Sequence, residues 1–269
     1  MSCECSSIKK KKIIYNFGNL PRVNEFLKKK NKINEKFFPL GIVVCKDCLL
    51  VQNNYFIKPT ELFEDYKFIS KASKGTITHF EDLVKKLHKK KLLTSESSVL
   101  EIGSNDGTLL SLLNNKSKNI VGVDLALKKL SKNKRIKKIK YIENFFDEKT
   151  YKEVRCISKE YDLIIALNVI PHINDFTSTL RLVAKLMHND SVFVIEGVYF
   201  TDTINRGQFD TVYHEHAHCF SYFAWKNSLN KVNLKIIDIE KINVQGTSLR
   251  LYVTKINTSQ IENKTNINK

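Results

Sequence analysis

One stretch limits what this chain can become more than any other: "SSVLEIGSNDGTLLSLLNNKSKNIVGVDLA", residues 97–126. Residues 99–102 are a short apolar run of the kind that forms a buried strand. Residues 103–107 read as a tight turn, and 108–113 as the opening of a helix. A second apolar run, 119–123, ends in Asp124. Strand, glycine turn, helix and strand in that order make a β-α-β unit with an acidic residue closing the second strand. A chain organised around such a unit is α/β, with a parallel sheet.

The contents of the turn point to the cofactor. Its glycines let a ligand approach the backbone, and Asp124, about 20 residues beyond Gly103, is placed to accept hydrogen bonds from ribose hydroxyls. A dinucleotide would favour G-x-G-x-x-G, with the pyrophosphate against helix amides. Here the turn reads E-x-G-x-N-x-G, and the carboxylates of Glu101 and Asp106 repel phosphate. They suit a sulfonium and an ammonium instead. The expected cofactor is therefore S-adenosylmethionine, held by Glu101, Gly103, Asn105, Asp106, Gly107 and Asp124.

Later apolar runs continue the sheet. "KYIENFF" (140–146) reads as a third strand and a loop that brings Asn144 and Phe145 beside the adenine. "YDLIIALNVIPH" (161–172) reads as a fourth strand whose loop carries Asn168 and His172, and "SVFVIEGVY" (191–199) as a fifth. Ligands of parallel α/β sheets gather at the carboxyl ends of the strands, which is where these residues fall. The loop after the fourth strand has one proline and no following aromatic. Amino-methyltransferases that act on bases use an Asn/Asp-Pro-Pro-aromatic loop, so that class is disfavoured.

The cysteines suggest a second, smaller unit. Cys45 and Cys48 form a C-x2-C knuckle after the strand-like residues 41–44, with 41–51 patterned as a hairpin around it. Cys3 and Cys5 are a tighter pair, and together the four thiolates could complete one tetrahedral structural zinc. The alternative is buried small side chains and a reactive thiol near the N-terminus. A zinc there would hold together a segment too short to build much core. From residue 60 to 91 the pattern is helical, with Phe80, Leu83, Val84 and Leu87 at three- and four-residue spacing.

The expected fold class is thus α/β: a Rossmann-like class I methyltransferase domain with a small N-terminal zinc-binding module. The module spans 1–58, a connecting helical segment with a substrate-facing loop 59–94, and the methyltransferase domain 95–255. Residues 256–269 form a polar tail expected to be disordered.

The formal charge of +17 invites a nucleic-acid partner, but the lysines are spread along the chain and their densest runs read as loops or solvated helix faces. No specific nucleic acid is expected. No apolar run has the length of a membrane span, and residues 1–12 lack the apolar core of a signal peptide, so the cytoplasm is the expected location. In that compartment six cysteines are not expected to pair as disulfides. One motif remains open on its residues alone. "YHEHAHCF" (213–220) has three histidines and a glutamate in close order, compatible with a metal site, a proton-handling site or an ordinary polar segment.

Five stretches together resemble the three-domain sugar C-methyltransferases that act on nucleotide-linked keto-deoxysugars. They are "FFPLGIVVCKDCLLVQ", "LFEDYKFIS", "VLEIGSNDGTLL", "GQFDTVYHEH" and "GTSLRLYV", and the resemblance runs from about Cys3 to Val253. It implies removal of a proton from a carbon beside a ketone and in-line attack of that carbon on the sulfonium methyl. It also implies that His216 is the base and that Tyr213 and Glu215 orient the sugar or stabilise charge. Tyr66 would reach the sugar from the N-terminal module, and His172 would lie near the methyl donor. This sequence departs from the family pattern at His218, Cys219, Gln245 and Thr247. Family members also continue into a third α/β domain, so a separate partner carrying that domain is a further expectation. The competing readings are an RNA-binding or RNA-modifying S-adenosylmethionine-dependent protein and an inactive remnant that binds the cofactor.

Overall fold

The computed structural model describes residues 11–24, 35–63, 69–114, 116–129, 135–244 and 246–267. Strand β1 (Lys11–Pro21) pairs antiparallel with β2 (Phe37–Cys45), with irregularities between Ile13 and Tyr15 and between Asn16 and Gly18. Gly41 on β2 is needed for this approach, since a Cβ there would sit 2.9 Å from the Tyr15 carbonyl oxygen. The knuckle forms the expected hairpin: β3 (Val51–Asn53) pairs antiparallel with β2, and the Cys45 amide donates to the Leu50 carbonyl at 2.9 Å. Leu49 turns the corner at φ 61, in the left-handed region where a side chain is normally disfavoured.

Short helix α1 (Pro59–Phe63) leads towards α2 (Lys74–Lys89). The helical pattern expected from 60 to 91 is therefore interrupted. A single 3-10 turn, Ser70–Ala72, precedes Ser73, whose side chain accepts from the Thr76 amide and starts α2 afresh. Leu83, Val84 and Leu87 are the buried stripe of α2.

The rest of the chain builds the larger layer. Strands β4 (Ser98–Ile102), β5 (Asn119–Val123), β6 (Ile139–Ile142), β7 (Tyr161–Leu167) and β8 (Met187–Val198) are all parallel. Helix α3 (Thr108–Leu113) links β4 to β5, α4 (Glu148–Ile157) links β6 to β7, and α5 (Phe176–Leu186) links β7 to β8. After β8 come α6 (Phe200–Asn205), the two-residue strand β9 (His218–Cys219) and α7 (Tyr222–Asn230). Strands β10 (Leu234–Ile242) and β11 (Ser248–Lys255) form an antiparallel hairpin, and β11 joins β8 antiparallel.

The resulting sheet order is β10-β11-β8-β7-β4-β5-β6. Strands buried on both faces need largely apolar runs, which β4, β5 and β7 supply apart from Glu101 within β4 and Asp162 near the start of β7. One apolar cluster packs Leu180 and Val183 of α5 and Trp225 of α7 against one face; the other packs α2 and α3 against the opposite face. Because β4 is flanked by β5 on one side and β7 on the other, the chain reverses its winding there. A crevice opens at the carboxyl ends of β4 and β7.

Two features could not be read from the sequence. Strand β9 does not belong to the large sheet: it completes a four-stranded sheet in the order β1-β2-β3-β9, with His218 opposite Gln52 and Cys219 opposite Val51. The polar tail also differs from expectation. Residues 256–267 end in helix α8 (Lys264–Ile267) beside β10, where the Asn263 amide donates to the Ile237 carbonyl and Asn266 donates through Nδ2 to Asp238. Polar side chains here bond to the sheet edge rather than to water alone. Among the described residues no helix is long and apolar enough to cross a membrane.

Candidate cofactor and catalytic site

The glycine turn sits at the carboxyl end of β4. Gly103 (φ 75) and Gly107 (φ 76) both occupy the left-handed region, and a Cβ on Gly103 would lie 2.1 Å from Val169 Cγ2. Only glycine fits that position. Asp124, at the end of β5, accepts from the Asn105 amide at 2.9 Å and from the Ala126 amide at 2.6 Å. The Asp124 amide in turn donates to the Ile142 carbonyl, which draws the end of β6, and with it half-buried Asn144 and Phe145, to the same rim.

Glu101 is buried and its Oε2 has no partner among the described residues. Burial first, then the nearby Asp124 and Asp106, push its carboxyl well above the usual range. Asp124 is also raised by burial, against the two amide bonds that favour its charged form. An orphaned, buried carboxyl oxygen between two other acids fits a cationic ligand and not a phosphate. The residues present therefore suit the ammonium and ribose of S-adenosylmethionine. Asn105 and Asp106 are used differently: their side chains accept from the backbone amides of Ser70 and Lys71, at 3.0 and 3.1 Å.

The histidine motif is a turn rather than an extended segment. The His216 amide donates to the Tyr213 carbonyl at 3.1 Å, so positions i and i+3 come together. The Tyr213 and His216 ring centroids are 4.1 Å apart, and the Tyr213 hydroxyl lies 2.9 Å from His216 Nε2. His216 Nδ1 lies 2.7 Å from the Thr211 carbonyl oxygen, which can only accept. The proton is therefore on Nδ1, and the Nε2 lone pair accepts from the Tyr213 hydroxyl. Burial lowers the pKa of His216 and keeps the ring neutral.

His172 follows β7 and approaches His216 to 5.0 Å between ring centroids. Its Nδ1–H donates to the Glu215 carbonyl at 2.7 Å. Burial, followed by the presence of His216, lowers His172 to about 3. Asn168, at φ 54, donates its amide to the Glu196 carbonyl and has a buried Oδ1 without a partner. Asn168, His172, Thr211 and His216 share a cavity of about 20 Å³ with His218.

The turn sends the other side chains elsewhere. His214 faces the Phe38 ring, with Nε2 3.3 Å from the Phe38 carbonyl oxygen. The Glu215 carboxylate accepts from Asn24 Nδ2 at 3.0 Å, and burial raises its pKa against that bond and the nearby Arg22 charge. His218 is enclosed by the rings of Phe56, Phe176 and Phe220. Among the described residues no three His, Cys, Asp or Glu side chains converge as metal ligands. Cys45 and Cys48 are buried at either end of their turn, a donor pair suited to half of a tetrahedral zinc site. Cys3, Cys5 and Tyr66 lie outside the described residues.

Sequence reasoning missed Asn24, Asn53 and Thr211. Asn53 is fully buried and donates through Nδ2 to the Tyr213 carbonyl at 3.0 Å. Their contacts span long sequence separations or use a main-chain carbonyl, and neither leaves a local motif.

The raised Glu101 pKa fixes a sign. Between the unfolded value and the higher folded value, the folded chain holds a proton that the unfolded chain has lost, so this group's contribution falls as pH rises. Glu101→Gln should therefore stabilise the chain, and by more at pH 8 than at pH 5, in urea denaturation monitored by circular dichroism. An equal effect at both pH values would mean that Glu101 does not titrate in that window.

Residues 74–239, from the start of α2 into β10, match a family model described as "Methyltransferase domain", and residues 3–63 match one described as "Putative zinc binding domain". Over 240 residues the chain is 28% identical to the C-methyltransferase NovU of Streptomyces niveus, a match that covers 89% of this chain and 57% of NovU. The chain thus spans little more than half the length of that relative. Among solved structures, magnesium protoporphyrin IX methyltransferase from Synechocystis PCC 6803 with bound SAH aligns at 14% identity and a TM-score of 0.49, covering 67% of this chain and 84% of that one. The YcgJ protein of Bacillus subtilis aligns at 14% identity and a TM-score of 0.46, covering 66% and 96%. The "Methyltransferase domain" model takes in more than half of the chain, including the glycine turn, Asp124 and the whole parallel sheet: this chain belongs to the methyltransferase-domain family.

Proposed function

We propose that this protein transfers a methyl group from S-adenosylmethionine to the carbon beside the ketone of a nucleotide-linked keto-deoxysugar. The observation that carries the reading is the Thr211–His216–Tyr213 arrangement, with a neutral imidazole whose Nε2 lone pair is held in a fixed direction. The identity to NovU, a C-methyltransferase, supports the same reaction class.

The cofactor, when bound, supplies an electrophilic methyl group. The remaining chemistry is a matter of moving a proton and bearing negative charge. His216 Nε2 takes the proton from the carbon, and its Nδ1–H bond to Thr211 stabilises the imidazolium that results. The Tyr213 hydroxyl, which donates to Nε2 in the free chain, turns in this reading from the ring to the substrate oxygen and donates to the enolate as charge develops there. Glu215 acts through its main chain on His172 and through its carboxylate on Asn24, and so fixes the turn rather than touching the reacting carbon. Tyr66 completes the acceptor side in this reading. Gly103, Gly107, Glu101, Asp124, Asn144, Phe145 and Asn168 form the cofactor side, with Asn105 and Asp106 shaping the turn.

Mass spectrometry of S-adenosylmethionine with a panel of nucleotide-4-keto-6-deoxysugars should give a product heavier by one methyl group. His216→Ala should abolish that product, by roughly 100-fold or more, while leaving cofactor binding intact. Loss of both together would remove His216 from the role of base. Because burial depresses the His216 pKa, the imidazole stays neutral below the usual value of about 6.5, and the acid limb of kcat/KM should fall with a midpoint under that value. A midpoint at or above it would contradict the buried, neutral base.

We also infer a structural zinc held by Cys45 and Cys48 together with Cys3 and Cys5. Elemental analysis should find one zinc per chain, falling to background in Cys48→Ser, with the melting temperature several degrees lower. A metal-free preparation that melts as the untreated protein does would count against the site.

A further inference from the structure

Two side chains that the glycine turn was expected to offer a cofactor are already held by the linker from the N-terminal module. Asn105 sits at φ 49, a conformation that asparagine tolerates better than most residues. Its Oδ1 accepts from the Ser70 amide at 3.0 Å and from the Ser70 hydroxyl at 3.3 Å. Its own amide donates to Asp124 Oδ2 at 2.9 Å. The linker is thus joined to the ribose-accepting carboxylate by two hydrogen bonds in series. The next residue repeats the pattern: Asp106 Oδ2 accepts from the Lys71 amide at 3.1 Å, while Oδ1 accepts from the Thr108 hydroxyl at 2.6 Å.

The linker can hold these groups because it is fixed itself. Ser70 is buried in the 3-10 turn Ser70–Ala72, and Ser73 caps α2 immediately afterwards. Two turns further on, His79 Nε2 lies 2.7 Å from Glu196 Oε2, and the other Glu196 oxygen accepts from Arg250 Nε. Glu196 and Arg250 are fully buried, so this cluster pins the start of α2 to β8 and β11.

We propose that Ser70 and Lys71 belong to the cofactor site as positioning residues: their backbone amides hold Asn105 and Asp106, and through Asn105 the Asp124 carboxylate, in the arrangement that receives the adenosine of S-adenosylmethionine. The proposal rests on that cofactor and not on the identity of the acceptor. It accounts for the division of labour among the acids. Asp106 is committed to amides at both oxygens, whereas Glu101 retains an oxygen without a partner for the cationic end of the ligand. It also means that the module and the cofactor turn are read together, because the segment that leaves the module is the one that shapes the turn.

The test uses Ser70→Pro in the full chain. Ile69 has φ −127 and ψ 119, the extended conformation required before proline, and the first position of a helical turn accepts proline. The substitution therefore removes both donors to Asn105 with little demand on the backbone. Calorimetry should show S-adenosylmethionine binding about tenfold weaker, with the loss in Kd and in KM for the cofactor rather than in kcat or in the KM of the acceptor. Ser70→Ala, which keeps the amide, should lose about twofold. Asn105→Gly retains the backbone conformation and removes the acceptor. It should match Ser70→Pro, and the double variant should lose no more than either single one, since both cut the same bond. Wild-type affinity in both Ser70→Pro and Asn105→Gly, or losses that simply multiply in the double variant, would overturn the proposal. Failure of the unaltered chain to bind S-adenosylmethionine is a different result, which removes the cofactor reading itself.

Discussion

The site depends on one constraint: residues 213–219 have to serve two sheets at once. The turn at 213–216 brings Tyr213 onto His216, and two residues later the same chain becomes β9, the fourth strand of the N-terminal sheet. The buried join is partly apolar, with Ile42 and Val51 against Phe200 and Cys219, and partly polar. Asn53 donates to the Tyr213 carbonyl and its amide to the Ala217 carbonyl, while Asn227 reaches the Cys48 carbonyl. Backbone groups sealed between two units must find partners or carry the cost of desolvation, about 1–3 kcal/mol each. These asparagines supply them. The consequence is that the direction of the His216 lone pair is set partly by the module, and anything that loosens the knuckle at Cys45 and Cys48 is felt at the base.

The two halves of the crevice follow opposite electrostatic rules. At the glycine turn burial raises Glu101 and Asp124, the charges of Asp124 and Asp106 add to the shift of Glu101, and one Glu101 oxygen has no partner among the described residues. A cationic ligand relieves that repulsion; an anionic one adds to it. In the cavity beside that turn His172, His216 and His218 are all shifted towards the neutral form by burial. The formal charge of +17 belongs to neither half. It sits on a surface rich in lysine, consistent with the scatter of those residues along the sequence.

The parallel sheet was legible because its signals are local. The runs at 99–102, 119–123, 161–167 and 191–198 are mainly apolar, broken by single polar residues such as Glu101, Asp162 and Glu196, and a glycine that must adopt φ 75 beside Val169 marks the turn after the first of them. Asp124 was legible by its distance from that glycine. What escaped was whatever depends on pairing across the chain. Strand β9 is two residues long and carries no β pattern of its own; it exists because Val51 and Gln52 offer it an edge. The break between α1 and α2 was hidden because Ser73 lies inside a stretch whose later residues, from Phe80 to Leu87, have a clear helical stripe. The motif at 213–216 was open on its residues alone, and only in an extended segment would His214 and His216 share a side. A turn separates them and pairs His216 with Tyr213 instead.

That pairing also bears on the proposed role of the buried His216 as a base. Burial frees the Nε2 lone pair at neutral pH, yet it does so by making the ring less basic, which weakens the pull on a carbon-bound proton. Two groups act against the weakening. The Thr211 carbonyl accepts from Nδ1–H and favours the imidazolium, and in the proposed reaction the Tyr213 hydroxyl donates to the oxygen that becomes negative as the proton leaves. The first raises the product of proton transfer in stability on the enzyme side; the second does so on the substrate side. A weak base suffices when the charge it creates has a donor waiting for it. The turn at 213–216 delivers both the proposed base and that donor from a single chain segment.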